Sequence, residues 1–290
     1  MQMIRKIKKH QNKEIPPIYI DKLPVEGWNE NIHLFLNRTI PGKKGIAVFD
    51  FDNTLIHNDL GEAVMFSLIG NGLEKFSGNF HFYFRDKIKA KSIWKKKDED
   101  RRTFSEFILS EYRFHSQNSG VESAYRWTSF IFSGWEKSEM RQYSRDIWNR
   151  NINSDLASAI RPYKPMQDLV SFLKFHGWII YIVTASPAWV IEEVSREFYL
   201  ESGSVIGMNL VMSGDRNTPE IIEPYTYGEG KVSAFLQKTG QSPDLAFGDS
   251  ENDLYLLASA KIKGVLIDKG DPVFRDKCLA NNFLIQPVFR

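Results

Sequence analysis

Cysteine is all but missing from this 290-residue chain, where Cys278 stands alone. No intramolecular disulfide can form, and with no histidine in a recognisable pattern around it Cys278 reads as a buried or half-buried structural thiol. An excess of either charge is missing too: 38 Lys and Arg oppose 36 Asp and Glu, a net charge of +2. That is too little to argue for a nucleic-acid or membrane partner. No apolar run approaches the length of a membrane span, and the N-terminal stretch lacks the apolar core of a secretion signal, so the expectation is a cytoplasmic protein. No internal repeat or low-complexity segment appears.

What is present is enough apolar material, 42% of residues, for one large or two modest domains. Ile46, Ala47, Val48 and Phe49 form a short apolar strand leading into Asp50, Phe51, Asp52, Asn53, Thr54 and Leu55. Two carboxylates separated by one residue at a strand end are costly to place unless something binds between them. A divalent cation with a phosphate would do so. The alternative is an acidic, solvated turn, because Asp and Asn are common after strands. The DxDxT run behind four apolar residues resembles motif I of the haloacid dehalogenase phosphohydrolases, whose first Asp is a nucleophile toward phosphorus.

The resemblance implies three further signals in fixed order, at the carboxyl ends of strands where open parallel sheets bind ligands. The apolar run from Trp178 to Val183 reads as a strand buried on both faces, and Thr184, Ala185, Ser186 and Pro187 follow it. Thr184 is the matching hydroxyl, able to donate to phosphoryl oxygens. Lys231, in Gly228-Glu229-Gly230-Lys231 before the helix-like segment Val232 to Leu236, matches the lysine that neutralises phosphate and nucleophile. Leu245, Ala246 and Phe247 then lead into Gly248, Asp249, Ser250, Glu251, Asn252 and Asp253, a GDxxxD loop. Asp249 is implied as a metal ligand, and Asp253 as a group that orients the ligands or Lys231. A lone Thr at a strand end or Lys at a helix start is ordinarily structural. Four matches in the right order outweigh those separate explanations.

Residues 1–40 read as a polar, Pro-containing arm followed by a helix from about Trp28 to Leu36, with Lys6, Lys8 and Lys9 a solvated basic tail. More than a hundred residues separate Thr54 from the second strand, far more than a crossover needs. An inserted domain over 70–158 accounts for them, leaving 41–69 and 159–290 as the core. The insert shows helical spacing at Phe104, Phe107, Ile108 and Glu111 and at Trp127, Phe130, Ile131 and Trp135. Its run Lys87 to Lys97, ahead of Asp98, Glu99 and Asp100, reads as a solvated helix face and turn, the alternative being a substrate-steering role. Met166, Leu169, Val170 and Leu173 mark a helix ended by Gly177. Val205 to Val211 and Glu220 to Ile222, around Ser213 to Asn217, read as a hairpin.

The expected fold is α/β: a Rossmann-like three-layer core with a parallel sheet, plus a mainly helical cap of the C1 type. Thr184 to Pro187 resembles the motif II loop of the phosphoserine phosphatase branch, which implies Ala185 and Ser186 as substrate-binding neighbours. The nearest likeness is to bacterial phosphorylcholine phosphatases, through AVFDFDNT, Asp59-Leu60-Gly61-Glu62 and Phe132-Ser133-Gly134. That likeness implies Asp59 and Glu62 as partners for a cationic head group; helix capping is the other reading of both. The implied chemistry is Mg²⁺-dependent hydrolysis of a small phosphomonoester. Asp50 is the nucleophile, Asp52 the acid and then base, Thr184 and Lys231 stabilise charge, and Asp50, the Asp52 carbonyl and Asp249 hold the metal. A phosphotransferase shares these residues. A non-catalytic phosphate-binding protein would have lost one of Asp50, Asp52, Lys231 or Asp249, and none is lost.

Overall fold

A computed structural model describes residues 20–154 and 156–289; the basic arm with Lys6, Lys8, Lys9, Pro16 and Pro17 lies outside them. Helix α1 (Glu30–Thr39) starts at Asn29, whose side chain accepts the Asn31 N–H, and β1 (Ile46–Phe49) follows. The next elements are β2 (Ile56–His57), α2 (Leu60–Gly70), α3 (Lys87–Lys95), α4 (Arg101–Ser119), α5 (Val121–Trp127), α6 (Lys137–Ile152) and β3 (Arg161–Pro162). The chain continues through α7 (Lys164–Phe175), β4 (Ile179–Pro187), α8 (Ala188–Val194), β5 (Val205–Met208), β6 (Leu210–Ser213) and β7 (Arg216–Ile221). It closes with α9 (Glu229–Thr239), β8 (Leu245–Gly248), α10 (Leu254–Ala258), β9 (Lys263–Asp268), α11 (Pro272–Ala280) and β10 (Leu284–Pro287).

Six parallel strands form the main sheet in the order β10-β9-β8-β1-β4-β5. Strand β1 is fully buried because both of its faces are covered. Ala47 and Phe49 point into one apolar cluster, with Trp189, Phe172 and Leu169 of α8 and α7. Ile46 and Val48 point into another, with Phe235, Leu257, Phe274 and Cys278 of α9, α10 and α11. Two such layers explain why the strands read as unbroken apolar runs rather than alternating ones. Cys278 is buried there, and burial pushes its thiol up to about 11. Because β4 and β8 flank β1 on opposite sides, the carboxyl ends of these three strands meet at the point where strand order reverses. Ligands bind open α/β sheets at such a point.

A two-residue antiparallel ladder, Ile56 with Pro162 and His57 with Arg161, closes the neck through which the long excursion from β2 to β3 leaves and returns. The excursion is helical, and its interior is aromatic. Phe80 packs against Phe84, Trp94 and Phe104 with ring centroids 4.4, 4.8 and 5.5 Å apart, and Phe130 closes the group at 6.1 Å. The buried side of α4 is made by Phe104, Phe107, Ile108 and Glu111, as the spacing implies. The second helical spacing is overridden. Trp127 ends α5, Phe130 and Ile131 lie in a 3₁₀ turn (Thr128–Phe132), and Trp135 is in no helix. The cause is tertiary: Gly134 N–H donates to the Asn217 carbonyl at 2.8 Å and Asn217 N–H donates to the Trp135 carbonyl at 2.9 Å, so the chain here pairs with β7 instead of with itself.

The expected hairpin divides at Asn209. Val205 to Met208 join the main sheet as its edge, and only Leu210 onward pairs with β7. Helix α7 ends as anticipated, with Gly177 at φ +77° just past its cap.

Phe80→Ala removes the ring at the centre of the aromatic group, so it is expected to lower stability by about 3–5 kcal/mol. Urea unfolding measures the loss, and a shift below about 1 kcal/mol contradicts the packing described.

Candidate active site

The loop after β1 is wound tightly. Asn53 takes φ +60°, its N–H donates to the Asn58 carbonyl at 3.0 Å, and the Thr54 and Leu55 N–H groups both donate to the Phe51 carbonyl. Asp50 and Asp52 are thereby aimed to the same end of the sheet, and both are buried. Lys231 enters from the first turn of α9 and has no exposed surface. Its ammonium donates to Asp50 Oδ1 at 2.7 Å and to Asp253 Oδ1 at 2.6 Å. The other Asp253 oxygen accepts the N–H groups of Asp249 and Ser250 and the Ser250 hydroxyl, at 3.0, 3.1 and 3.1 Å. Gly248 is required for this closeness, since a Cβ there would stand 2.4 Å from that of Asp253.

Both Asp52 oxygens are held, one by Leu60 N–H at 2.8 Å and the other by the Ser186 hydroxyl at 2.6 Å. Gly61 makes room for the second bond: a Cβ would fall 2.2 Å from Ser186 Oγ. The Thr54 hydroxyl lies 3.3 Å from Asp50 Oδ2 and 3.3 Å from Asp249 Oδ1, joining the two carboxylates. Thr184 to Pro187 do not follow the strand as the sequence implies but belong to β4, past Val183, where its pairing with β5 becomes irregular; Thr184 accepts the Ser186 N–H on its hydroxyl oxygen at 3.0 Å, which leaves its own proton free to donate.

Oxygens of Asp50, Asp249 and Asp253 lie within 4.8 Å of one another. Asp253 is fully engaged by Lys231 and the loop, so Asp50 and Asp249 are the pair with capacity for a metal. The donor set fits a hard divalent cation such as Mg²⁺, because it offers carboxylate oxygens and the Asp52 carbonyl in an acid-rich site. Asp50, Asp52, Asp59, Glu62, Asp249 and Asp253 outnumber Lys231 and Lys269 there. The excess is visible in the proton affinities. Burial raises Asp50 well above the usual carboxylate range despite Lys231, and lifts Asp52 and Asp249 to about 6. Burial opposes the Lys231 ammonium, but Asp253 and Asp50 outweigh it and raise its pKa.

These groups line a cleft of about 170 Å³. Ala185, Ser186, Asp59 and Glu62 line it too, so the residues singled out from the sequence come together, with Asp253 and Lys231 just beneath. Asp59 caps α2, its Oδ1 accepting the Glu62 N–H at 2.7 Å; Glu62 has no such duty and is half-buried. Burial raises both. Residues not anticipated complete the cleft. Lys269, just after β9, pairs with Asp249; a lysine at a strand end has no distinctive spacing. Tyr125 of the helical excursion and Tyr225 of the core form its far wall with no short motif to mark them, beside Phe132 of the Phe132-Ser133-Gly134 segment.

The sequence matches the family model described as haloacid dehalogenase-like hydrolase over residues 47–258. No curated protein matches. Among solved structures, a functionally unknown protein from Anaerococcus prevotii is similar over 92% of this chain and 94% of its own, at TM-score 0.71 and 18% identity. One of unknown function from Bordetella pertussis is similar over 85% and 100%, at TM-score 0.60 and 17% identity. A phosphoserine phosphatase carrying an analogue of the phospho-aspartyl intermediate is similar over 86% and 95%, at TM-score 0.51 and 13% identity.

With Asp52 and Asp249 at about 6 against an ordinary 3.8, the folded, metal-free protein holds more protons than the unfolded chain between those values. Stability therefore falls as pH rises through that window, by on the order of 1–3 kcal/mol. In chelator, melting is expected at higher temperature at pH 5 than at pH 7.5, and Mg²⁺ should raise it more at pH 7.5. Equal melting at both pH values contradicts the charge arrangement.

Proposed function

The chain belongs to the haloacid dehalogenase-like hydrolase family, and we propose that it is a Mg²⁺-dependent phosphomonoesterase working through an aspartyl-phosphate on a small phosphorylated metabolite. The observation that carries this reading is the pairing of two differently held carboxyls in one cleft. Asp50 is bonded to a buried ammonium, while Asp52 is fixed by Ser186 and Leu60 N–H with a pKa of about 6. A group of that pKa can both give and take a proton near neutrality.

An Asp50 oxygen attacks phosphorus in line as the bond to the leaving oxygen breaks, and Asp52 gives its proton to that oxygen. Asp52 then accepts a proton from the water that attacks the aspartyl-phosphate, which frees phosphate and restores Asp50. Thr184, Lys231 and main-chain N–H groups bind the equatorial oxygens. Asp50, Asp249 and the Asp52 carbonyl would hold Mg²⁺, which supplies charge neutralisation between nucleophile and phosphate. The helical excursion, read as a C1 cap over 70–158, excludes water and reads the leaving group through Tyr125 and Phe132. We assign Glu62, with Asp59 behind it, to a leaving group bearing an amine or quaternary ammonium, as in phosphocholine, phosphoethanolamine or phosphoserine. The support is negative charge beside aromatic walls.

Asp50→Asn keeps the shape and removes the attacking oxygen, so turnover should fall by more than about 10³-fold with the melting curve preserved. Turnover within tenfold of the parent sinks the nucleophile assignment. Activity should require Mg²⁺ and be inhibited by Ca²⁺, whose looser coordination can draw in both Asp50 oxygens; full activity in chelator refutes this. Phosphate release compared with transfer to added alcohols separates hydrolase from phosphotransferase. Glu62→Gln should erase a preference of about 10- to 150-fold for cationic leaving groups while sparing a neutral aryl phosphate. Equal loss on both substrates would make Glu62 structural.

A further inference from the structure

Away from the cleft, residues 81–97 hold seven basic side chains against the single Asp86. The local net charge is thus +6 in a chain whose total is +2, and the rest of the chain is net negative. Arg85 pairs with Glu111 and Lys97 with Asp98. Among the described residues, Lys87, Lys89, Lys91, Lys95 and Lys96 have no carboxylate partner; the neighbouring acids Asp86 and Asp100 cap α3 and α4 instead. Helix α3 is anchored by Ala90, Ile93 and Trp94, the last stacked on Phe80 at 4.8 Å. Its opposite face carries Lys91 and Lys95 around Ile88, the most exposed large apolar side chain described, at 85%. Phe82, 63% exposed, has the ammonium of Lys87, the residue before Ile88, 5.6 Å from its ring centre. Burial, and after it the nearby Lys91 and Lys87, push the His81 imidazole below its usual value.

We propose that this face, His81 to Lys96, docks the protein on an anionic lipid surface. A water-facing helix gains nothing from an isoleucine at the centre of its exposed side. At a membrane interface the same residue, with Phe82, enters the headgroup boundary while the surrounding lysines meet lipid phosphates and carboxylates. Nucleic acid suits the charge but not the aliphatic centre, since Ile88 can neither stack on a base nor bond to it. None of the cleft residues takes part, so docking is independent of the phosphatase reading, and the charge asymmetry orients the molecule with this face down.

The full chain is tested by sedimentation with vesicles of phosphatidylcholine alone or with about 30% phosphatidylserine, in about 0.1 M NaCl. Binding is expected to the anionic vesicles only, and to vanish near 0.5 M NaCl, where screening is strong. Lys87→Gln with Lys91→Gln and Lys95→Gln should weaken it by about 100-fold, roughly fivefold per lysine. Ile88→Gln alone should weaken it severalfold. Unchanged melting confirms that the variants fold. No binding to anionic vesicles, equal binding to neutral ones, or equal binding by the lysine variant overturns the proposal. So does a duplex DNA that binds more tightly than the vesicles and ignores Ile88→Gln.

Discussion

A buried ammonium between two carboxylates organises this molecule. Lys231 has no exposed surface and bonds to both Asp50 and Asp253. A charge so placed is tolerable only when its partners are held in position. That requirement reaches outward: Asp253 must take the amides of the Gly248–Ser250 turn, the turn must carry a glycine where Asp253 crosses it, and α9 must begin where Lys231 can reach down between β1 and β8. Asp50 is then presented with one oxygen occupied and the other turned toward Thr54 and Asp249. The orientation of the Asp50 carboxyl is built into the way the core is closed.

The second constraint is excess negative charge. Six carboxyls around two lysines leave burial as the leading influence on Asp50, Asp52 and Asp249, and all three are raised. Such an arrangement costs folding stability at neutral pH. Asp52 is distinguished from its neighbours by its two neutral hydrogen-bond donors. They fix its direction without adding a cation that would draw off its proton, and so two carboxylates two residues apart are suited to different work.

The helical excursion is held down by more than its neck. Beside the ladder of β2 and β3, the β6–β7 hairpin grips it through backbone pairing at Gly134 and Trp135 and through the Ser129 hydroxyl, which donates to the Pro219 carbonyl at 2.6 Å. On the other side Arg126 bonds to Glu223 at 2.5 Å and lies over the ring of Tyr225. The cleft wall therefore belongs to both parts, and its aromatic character depends on how they meet.

By itself the amino-acid sequence determined the three central strands, because burial on both faces demands apolar runs such as Ile46–Phe49, and the ordered carboxylates and lysine near them; β9 and β10, which complete the sheet, were not read from it. Asp50, Asp52, Lys231, Asp249 and Asp253 were legible because each sits just past a strand or at a helix start with fixed local spacing, and Thr184 because it ends the apolar run of β4. The buried side of α4 was legible for the same reason: periodicity is a local property. Tertiary structure decided the rest. Lys269, Tyr125 and Tyr225 reach the cleft by contacts between distant segments, which leave no period and no short motif. Trp127 to Trp135 obey helical spacing and yet break into a 3₁₀ turn and a strand-like stretch, because hydrogen bonds to β7 replace those of a helix. The exposure of Ile88 likewise appears only once Trp94 and Ala90 have chosen which side of α3 faces the core, a choice made by the packing of Phe80 and Phe104 rather than by the helix.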